Sequence, residues 1–247
     1  MKVSLLFLIS CTIACGQGNE YNGIYKGREG NIFSRKPNGF LVEVTRPRKP
    51  GKALDVGMGQ GRNSIYLARR GWDVTGFDAS DEGVRVARGE AARLGIKLDA
   101  RVSTFDQFDF GENAWDLIVL MYVPAREIAP RVARALKPGG AIVIEDRHRD
   151  TRRVWPEGGL FGNNELPTLF PDLRILRYED FWGVPDWQAE RIEERIVHLI
   201  AEKPSVPEPG CLWKGKVVPE GGDICWDRAV KFRCTDGGWL FTRESCE

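Results

Sequence analysis

Ala53-Leu54-Asp55-Val56-Gly57-Met58-Gly59-Gln60-Gly61-Arg62-Asn63 decides how the rest of the chain is read. Lys52–Val56 is a short apolar run stopped by glycines, the pattern of a buried strand. Gly57, Gly59 and Gly61 lack Cβ atoms, so the backbone can turn tightly there and a ligand can lie against it. Arg62–Arg70 follows with helical composition and ends at Gly71. A dinucleotide fingerprint would need glycine at position 62, where Arg62 stands, and no Gly-Lys-Ser/Thr follows to cradle a triphosphate. Alone, three alternating glycines also fit a plain tight turn.

Downstream of this stretch the pattern repeats. Asp73–Phe77 is a second strand, with β-branched Val74 and Thr75, and it ends at Asp78. Ser80 is a good N-cap, Asp81 and Glu82 suit the first helical turn, and Gly95 ends that helix. Lys97–Ser103 is a third, weaker strand. Asp116–Met121 is a continuous apolar run, as expected of a strand covered on both faces. Glu127–Leu136 is a helix with Pro130 in its first turn, and Pro138-Gly139-Gly140 turns the chain into a fifth strand, Ala141–Glu145. This alternation implies right-handed crossovers and an α/β, Rossmann-like doubly wound sheet. After Asp146, Asn164–Phe170 reads as a short helix. Arg174–Phe181 and Arg195–Glu202 read as an antiparallel hairpin on the sheet edge, although Glu190–Ile200 has a period that equally suits a helix.

In an open parallel sheet, ligands bind beyond the carboxyl ends of the strands. Asp78 ends strand two, 23 residues after Asp55. A carboxylate there can accept from both hydroxyls of a ribose. Asp106 follows strand three beside Phe105, where an acid can accept from an adenine amino group while an apolar neighbour covers the ring. Taken singly, Asp78 is also helix-start chemistry and Asp106 a solvated turn. The glycine bend, Asp78 and Asp106 together, in order and each after a strand, point to one nucleoside-bearing ligand.

Three segments carry a family resemblance: residues 53–63, Gly71-Trp72-Asp73-Val74-Thr75-Gly76-Phe77-Asp78-Ala79-Ser80, and Leu136-Lys137-Pro138-Gly139-Gly140. Together they resemble the class I S-adenosylmethionine-dependent methyltransferases. The Gly-Arg-Asn variant is similar to the tellurite-resistance and thiopurine-type branch that acts on small molecules. The resemblance implies S-adenosyl-L-methionine as cofactor and a small-molecule methyl acceptor. It places Asp55, Gly57, Gly59 and Gly61 on the methionine part, Asp78 on the ribose, and Phe105 and Asp106 on the adenine. Tyr122, just past strand four, would lie near the transferred methyl. Glu145 and His148 join it as candidate catalytic residues at the acceptor side, with Asp146 near them. Arg62 and Asn63 match the family pattern in a supporting part. Tyr122 can also be read as a core ring, and His148 as part of a solvated charged loop (residues 146–153). His198, in an apolar strand, reads as structural. Tyr21, Tyr25, Phe33, Phe40 and Leu41 form either a lid over the glycine bend or ordinary packing on the sheet.

Composition narrows the remaining classes. The 247 residues hold 36 Lys plus Arg against 35 Asp plus Glu, a net charge of +1, which argues against a general nucleic-acid binder. Two histidines leave no room for a multi-His metal centre, and no metal is expected. Six cysteines lie at the ends: Cys11, Cys15, Cys211, Cys225, Cys234 and Cys246. Residues 1–15 resemble a bacterial secretory signal, with Thr12-Ile13-Ala14-Cys15 similar to a lipobox and Leu8-Ile9-Ser10-Cys11 a better match to its pattern that leaves a very short apolar core. This reading predicts export or a lipid anchor, with an apolar segment of a cytoplasmic protein as the alternative. The expected layout is then a domain over 16–203, a proline-rich linker over 204–210, and a Cys-rich tail over 211–247. Four tail cysteines allow two disulfides with three connectivities. A cofactor-free exported binding protein on the same fold is the competing function, and a nicotinamide dehydrogenase a weaker one.

Overall fold

The computed structural model describes residues 22, 25–26, 33–151, 160–187, 192–205, 210–214, 216–219, 221–225, 230–235 and 238–242. The signal-like segment 1–15, Tyr21, residues 206–209 of the linker, Trp226 and Cys246 lie outside them. The chain divides into two compact units, Met1–Pro204 and Ser205–Glu247.

The first unit is built on an eight-stranded sheet. Its strands are β1 (Lys52–Val56), β2 (Asp73–Asp78), β3 (Asp99–Val102), β4 (Trp115–Met121), β5 (Leu136–His148), β6 (Leu160–Phe161), β7 (Arg174–Gly183) and β8 (Glu194–Glu202). The order is β3-β2-β1-β4-β5-β8-β7, with β6 pairing with β5. Strands β1 to β5 pair in parallel. Strand β8 runs antiparallel to both β5 and β7, so the late hairpin enters with its second strand inward. The helical alternative for residues 190–200 is therefore excluded over β8. Val197, Leu199 and Ala201 face one core cluster and Ile200 the other, the period-two burial of a sheet strand.

The helices are α1 (Gly39–Thr45), α2 (Arg62–Arg69), α3 (Asp81–Arg93), α4 (Ala125–Ala135) and the single turn α5 (Glu165–Thr168). Along β4, Ile118 and Leu120 join a core with α4 and α5, while Leu117, Val119 and Met121 join a core with α1 and α2. That two-sided burial is why the run 116–121 shows no polar alternation. Phe77 anchors the first core. It is fully buried and stacks on Phe108 at 4.0 Å between ring centroids.

Local chemistry sets the element ends. The Ser80 hydroxyl accepts from the Gly83 N–H at 3.0 Å, capping α3. At the other end Gly95, at φ +66°, donates to the Ala92 carbonyl and Ile96 to the Ala91 carbonyl, closing a Schellman turn. Three details depart from the sequence reading. Helix α4 starts two residues early, so Pro130 lies in its second turn, where it has no N–H to donate to Arg126. Strand β5 pairs from Leu136, and residues 137–140 bulge out between the partners of Trp115 and Leu117. It also continues through the charged run to His148, because Asp146 and Arg147 pair with Val197 and Ile196 of β8. His148 is consequently buried rather than solvated.

The second unit holds two antiparallel sheets: β9 (Gly210–Trp213) with β10 (Lys216–Pro219), and β11 (Asp223–Cys225), β12 (Lys231–Thr235) and β13 (Gly238–Phe241). A disulfide joins buried Cys211 and Cys234, and Cys225 is also disulfide-bonded. The Trp213 and Trp239 rings meet edge to face at 6.0 Å. A unit this small has little core, and the cross-links restrict its unfolded chain instead.

Pro130 gives the test of this packing. Its side is exposed, so Pro130→Ala removes no core contact and restores a helical N–H. The substitution is expected to stabilise the fold by about 1 kcal/mol, a rise of about 2–4 °C in Tm by calorimetry.

Candidate active site

The site grows from the bend after β1. Asp55 points to the α1/α2 side of the sheet and is 2% exposed. The Ser64 hydroxyl of α2 donates to it at 2.6 Å. Among the described residues no Lys or Arg nitrogen lies within ion-pair distance of this carboxylate. Burial raises its pKa to about 6, against the Ser64 hydrogen bond and the more distant charge of Arg62.

The next three glycines take φ values of +66°, +51° and +81° at 57, 59 and 61. Side chains would be strained there, and all three positions are also crowded, Gly61 by Ala87 at 2.8 Å from a Cβ. A Cβ on Gly57 would come 2.5 Å from a Val123 methyl, and one on Gly59 would come 2.4 Å from the Tyr25 hydroxyl. Gly61 is the N-cap of α2.

Asp78 ties this bend to β2. One carboxylate oxygen accepts from the Gly59 N–H at 2.8 Å, and the other accepts from the Ser80 N–H at 2.8 Å. Burial raises its pKa, and the two N–H groups hold it back. The loop after β3 hangs from the same residue, since the Ser103 N–H donates to the Asp78 carbonyl at 2.9 Å. In that loop Phe105 is half-buried, edge-on to Phe77 at 6.0 Å, and Asp106 is exposed.

Arg62 and Asn63 hold the start of α1. The Arg62 guanidinium donates to the Lys36 carbonyl at 3.1 Å and to Asp186 at 2.9 Å. The Asn38 N–H donates to the Asn63 side-chain oxygen at 2.9 Å, and the Gly39 N–H donates to Asp186 at 2.8 Å. This is why Arg62 stands where a dinucleotide loop would carry glycine. The aromatic residues before β1 divide between the two readings of that segment. Phe40 and Leu41 are core residues of α1. Tyr25 lies on the glycine bend and meets Phe33 at 5.6 Å, Phe33 meets Trp187 at 5.8 Å, and Trp187 meets Tyr122 at 5.9 Å. Asn22 secures the segment through Asp81 at 2.7 Å.

Tyr122 has φ +60°, a conformation that costs a bulky side chain on the order of 1–3 kcal/mol. It holds its hydroxyl 2.5 Å from Glu145, to which it donates. Burial, then the Glu145 charge, push the Tyr122 pKa well up. Glu145 is itself buried. Burial raises its pKa, but hydrogen bonds and charge from His198, with the Tyr122 hydroxyl, bring it below the ordinary value. The Arg147 guanidinium sits 4.9 Å over the Tyr122 ring.

The structure thus brings Tyr122 and Glu145 together and leaves His148 apart. Strand alternation sends Asp146 and His148 to the opposite face. There His148 accepts the Asp150 N–H at 3.1 Å, and Asp146 has a pKa raised by burial to about 7. Sequence reasoning missed His198, Asn38 and Asp186. Asp186 and Asn38 carry no motif. His198 offered a signal in its position, a lone polar residue in an apolar strand.

The donor set fits S-adenosyl-L-methionine. Its sulfonium and ammonium are cationic, and its ribose hydroxyls and adenine amine are hydrogen-bond donors. Asp55, Asp78 and Asp106 supply three acceptors in series, the first buried with no ion-pair partner among the described residues.

Comparison with known proteins agrees with this geometry. Residues 53–140 match the methyltransferase domain family. The chain is 28% identical over 198 residues to the probable S-adenosyl-L-methionine-dependent methyltransferase TehB of Haemophilus influenzae, spanning 73% of this chain and 68% of that protein. It is 40% identical over 117 residues to a ubiquinone biosynthesis O-methyltransferase of Paramagnetospirillum magneticum, covering 45% and 46% of the two chains. The crystal structure of Haemophilus influenzae TehB superposes with a TM-score of 0.60 at 22% identity, over 74% of this chain and 67% of that one. Residues 53–140 thus form a methyltransferase domain, and the chain is an S-adenosylmethionine-dependent methyltransferase similar to TehB, with S-adenosyl-L-methionine as its methyl donor.

Proposed function

We propose that the bend after β1, with Asp55 near the end of β1, Asp78 at the end of β2 and Asp106 after β3, holds the methyl donor, and that Tyr122 and Glu145 face a small-molecule acceptor. Asp55 and Gly57, Gly59 and Gly61 take the methionine part, Asp78 the ribose, and Phe105 with Asp106 the adenine. The observation that carries this is buried Asp55, a carboxylate held beside three positive-φ glycines with no cation in contact among the described residues. When bound, S-adenosyl-L-methionine supplies a methyl group already activated on a sulfonium. The protein's work is then to align acceptor and methyl and to exclude water. The chain Tyr25–Phe33–Trp187–Tyr122 serves the second purpose, running from the glycine bend to the acceptor side. His148 lies on the other face of the sheet and takes no part in this reading.

Titration calorimetry tests the assignment. S-adenosyl-L-methionine is expected to bind with a Kd of about 1–100 μM and NAD not at all, and Asp78→Ala to weaken binding at least about tenfold, or about 1.4 kcal/mol. An unchanged Kd in that variant contradicts the assignment. A second expectation follows from Asp55. Its proton is held more tightly in the folded than in the unfolded chain. The cost of ionising it is therefore absent below about pH 4 and full above about pH 6. Asp55→Asn, which keeps an acceptor for Ser64, should raise thermal stability above pH 6 by roughly 2–3 kcal/mol while weakening the methyl donor. Stability and affinity falling together would contradict this role.

The tail disulfides support an oxidising compartment and hence an exported chain, and the lipobox-like Thr12-Ile13-Ala14-Cys15 supports a lipid anchor on it. Intact mass of the natively expressed protein checks this. Loss of fourteen residues with an added lipid on Cys15 is expected, and a full-length product would overturn it.

A further inference from the structure

Four neighbouring strands each contribute one residue to a single row across the sheet. Tyr122 follows β4, Glu145 lies on β5, His198 on β8 and Glu179 on β7. The row is in register: Met121, just before Tyr122, pairs with Glu145, and His198 pairs with Glu145 on one side and Glu179 on the other. Its polar groups are continuous. Tyr122 donates to one oxygen of Glu145 at 2.5 Å, the other oxygen lies 2.7 Å from His198 Nε2, and His198 Nδ1 lies 3.1 Å from Glu179. Phe40 stacks on the imidazole at 4.0 Å, fixing its plane. Arg177 binds Glu179 at 2.8 Å.

An acceptor that meets the methyl group already ionised, such as a halide or a metalloid oxyanion, has no proton to lose. A buried carboxylate beside its path would only repel it. An acceptor carrying O–H or N–H must shed a proton as the new bond forms, and needs a relay that ends on a base. We propose that the row is such a relay, and that the acceptor is therefore a protic hydroxyl or amine compound rather than a pre-ionised nucleophile. This rests on the placement of the acceptor beside Tyr122 given above.

The step balances as follows. The acceptor's lone pair forms the bond to the transferred carbon, and the sulfur–carbon pair stays with sulfur, which becomes neutral. The acceptor proton moves to Tyr122 Oη as the hydroxyl's own proton moves to Glu145 Oε1. Once the carbon bond has formed, the acceptor's remaining proton is strongly acidic, so even the weakly basic Glu145 carboxylate suffices to receive it. The proton's path ends at Glu145. His198 and Glu179 are positioning residues that hold the second oxygen of Glu145 and leave the first for Tyr122.

The test uses 4-nitrocatechol as the protic probe and iodide as the pre-ionised one, on the full chain at about pH 5, where the nitrocatechol is un-ionised in solution. Binding is read from the probe's visible absorbance without methyl donor, and transfer by mass spectrometry with it. The proposal expects bound nitrocatechol to show the small red shift of an un-ionised phenol hydrogen-bonded to the Tyr122–Glu145 pair, a shift that Glu145→Gln and Tyr122→Phe each abolish. It expects transfer to nitrocatechol to fall at least about a hundredfold in both variants. It also expects His198→Gln to lower kcat more than it raises KM. Transfer to iodide at a rate equal to or above that to nitrocatechol would overturn it. So would nitrocatechol that neither shifts nor reacts, or that reacts equally well in Glu145→Gln. Failure of the donor to bind, with the shift and its loss in Glu145→Gln intact, would instead count against the cofactor assignment and leave the relay supported.

Discussion

One carboxylate holds the catalytic end of the first unit together. Asp78 accepts from Gly59 on one oxygen and from Ser80 on the other, while its carbonyl accepts from Ser103. The bend after β1, the start of α3 and the loop after β3 are thereby fixed relative to one another. These are the three places where acids stand at the ends of neighbouring parallel strands. The backbone of the bend can approach this carboxylate because its glycines adopt positive φ, which a side chain at 57 or 59 would oppose both by strain and by collision. A burial cost on Asp55 accompanies this arrangement, as is usual where stability is exchanged for function.

The parallel half of the sheet was legible because its determinants are local. Apolar runs, glycine stops and the Ser80 cap each act within a few residues, and the alternation of strands and helices leaves few topologies. Residues 146–148 were not legible. As a sequence they are a charged loop, yet they extend β5 because β8, some fifty positions later, supplies the other half of the ladder. Pro130 was misplaced by one turn, since the start of α4 carries no capping side chain to mark it.

The candidate site divides in the same way. Asp55, Asp78 and the glycines announce themselves by spacing, because the ligand chemistry and the backbone geometry act at successive strand ends. Glu145 and Tyr122 could be named as acceptor-side groups, but their contact follows from a cross-strand register. His198, Asn38 and Asp186 join only through tertiary folding. His198 faces two carboxylates from different strands, and Asp186 meets Arg62 across 124 positions of sequence. A polar residue inside an apolar strand is therefore a reason to ask which neighbouring strands carry its partners.

A crystal structure with bound S-adenosyl-L-homocysteine tests the central claim most directly. The account predicts the ribose hydroxyls on the Asp78 carboxylate and the amino-acid portion against Asp55 and the Gly57–Gly61 bend. Density for the compound elsewhere, such as the groove lined by Arg35, Tyr66, Arg69 and Arg70, with Tyr25 still closed on Gly59, would contradict it.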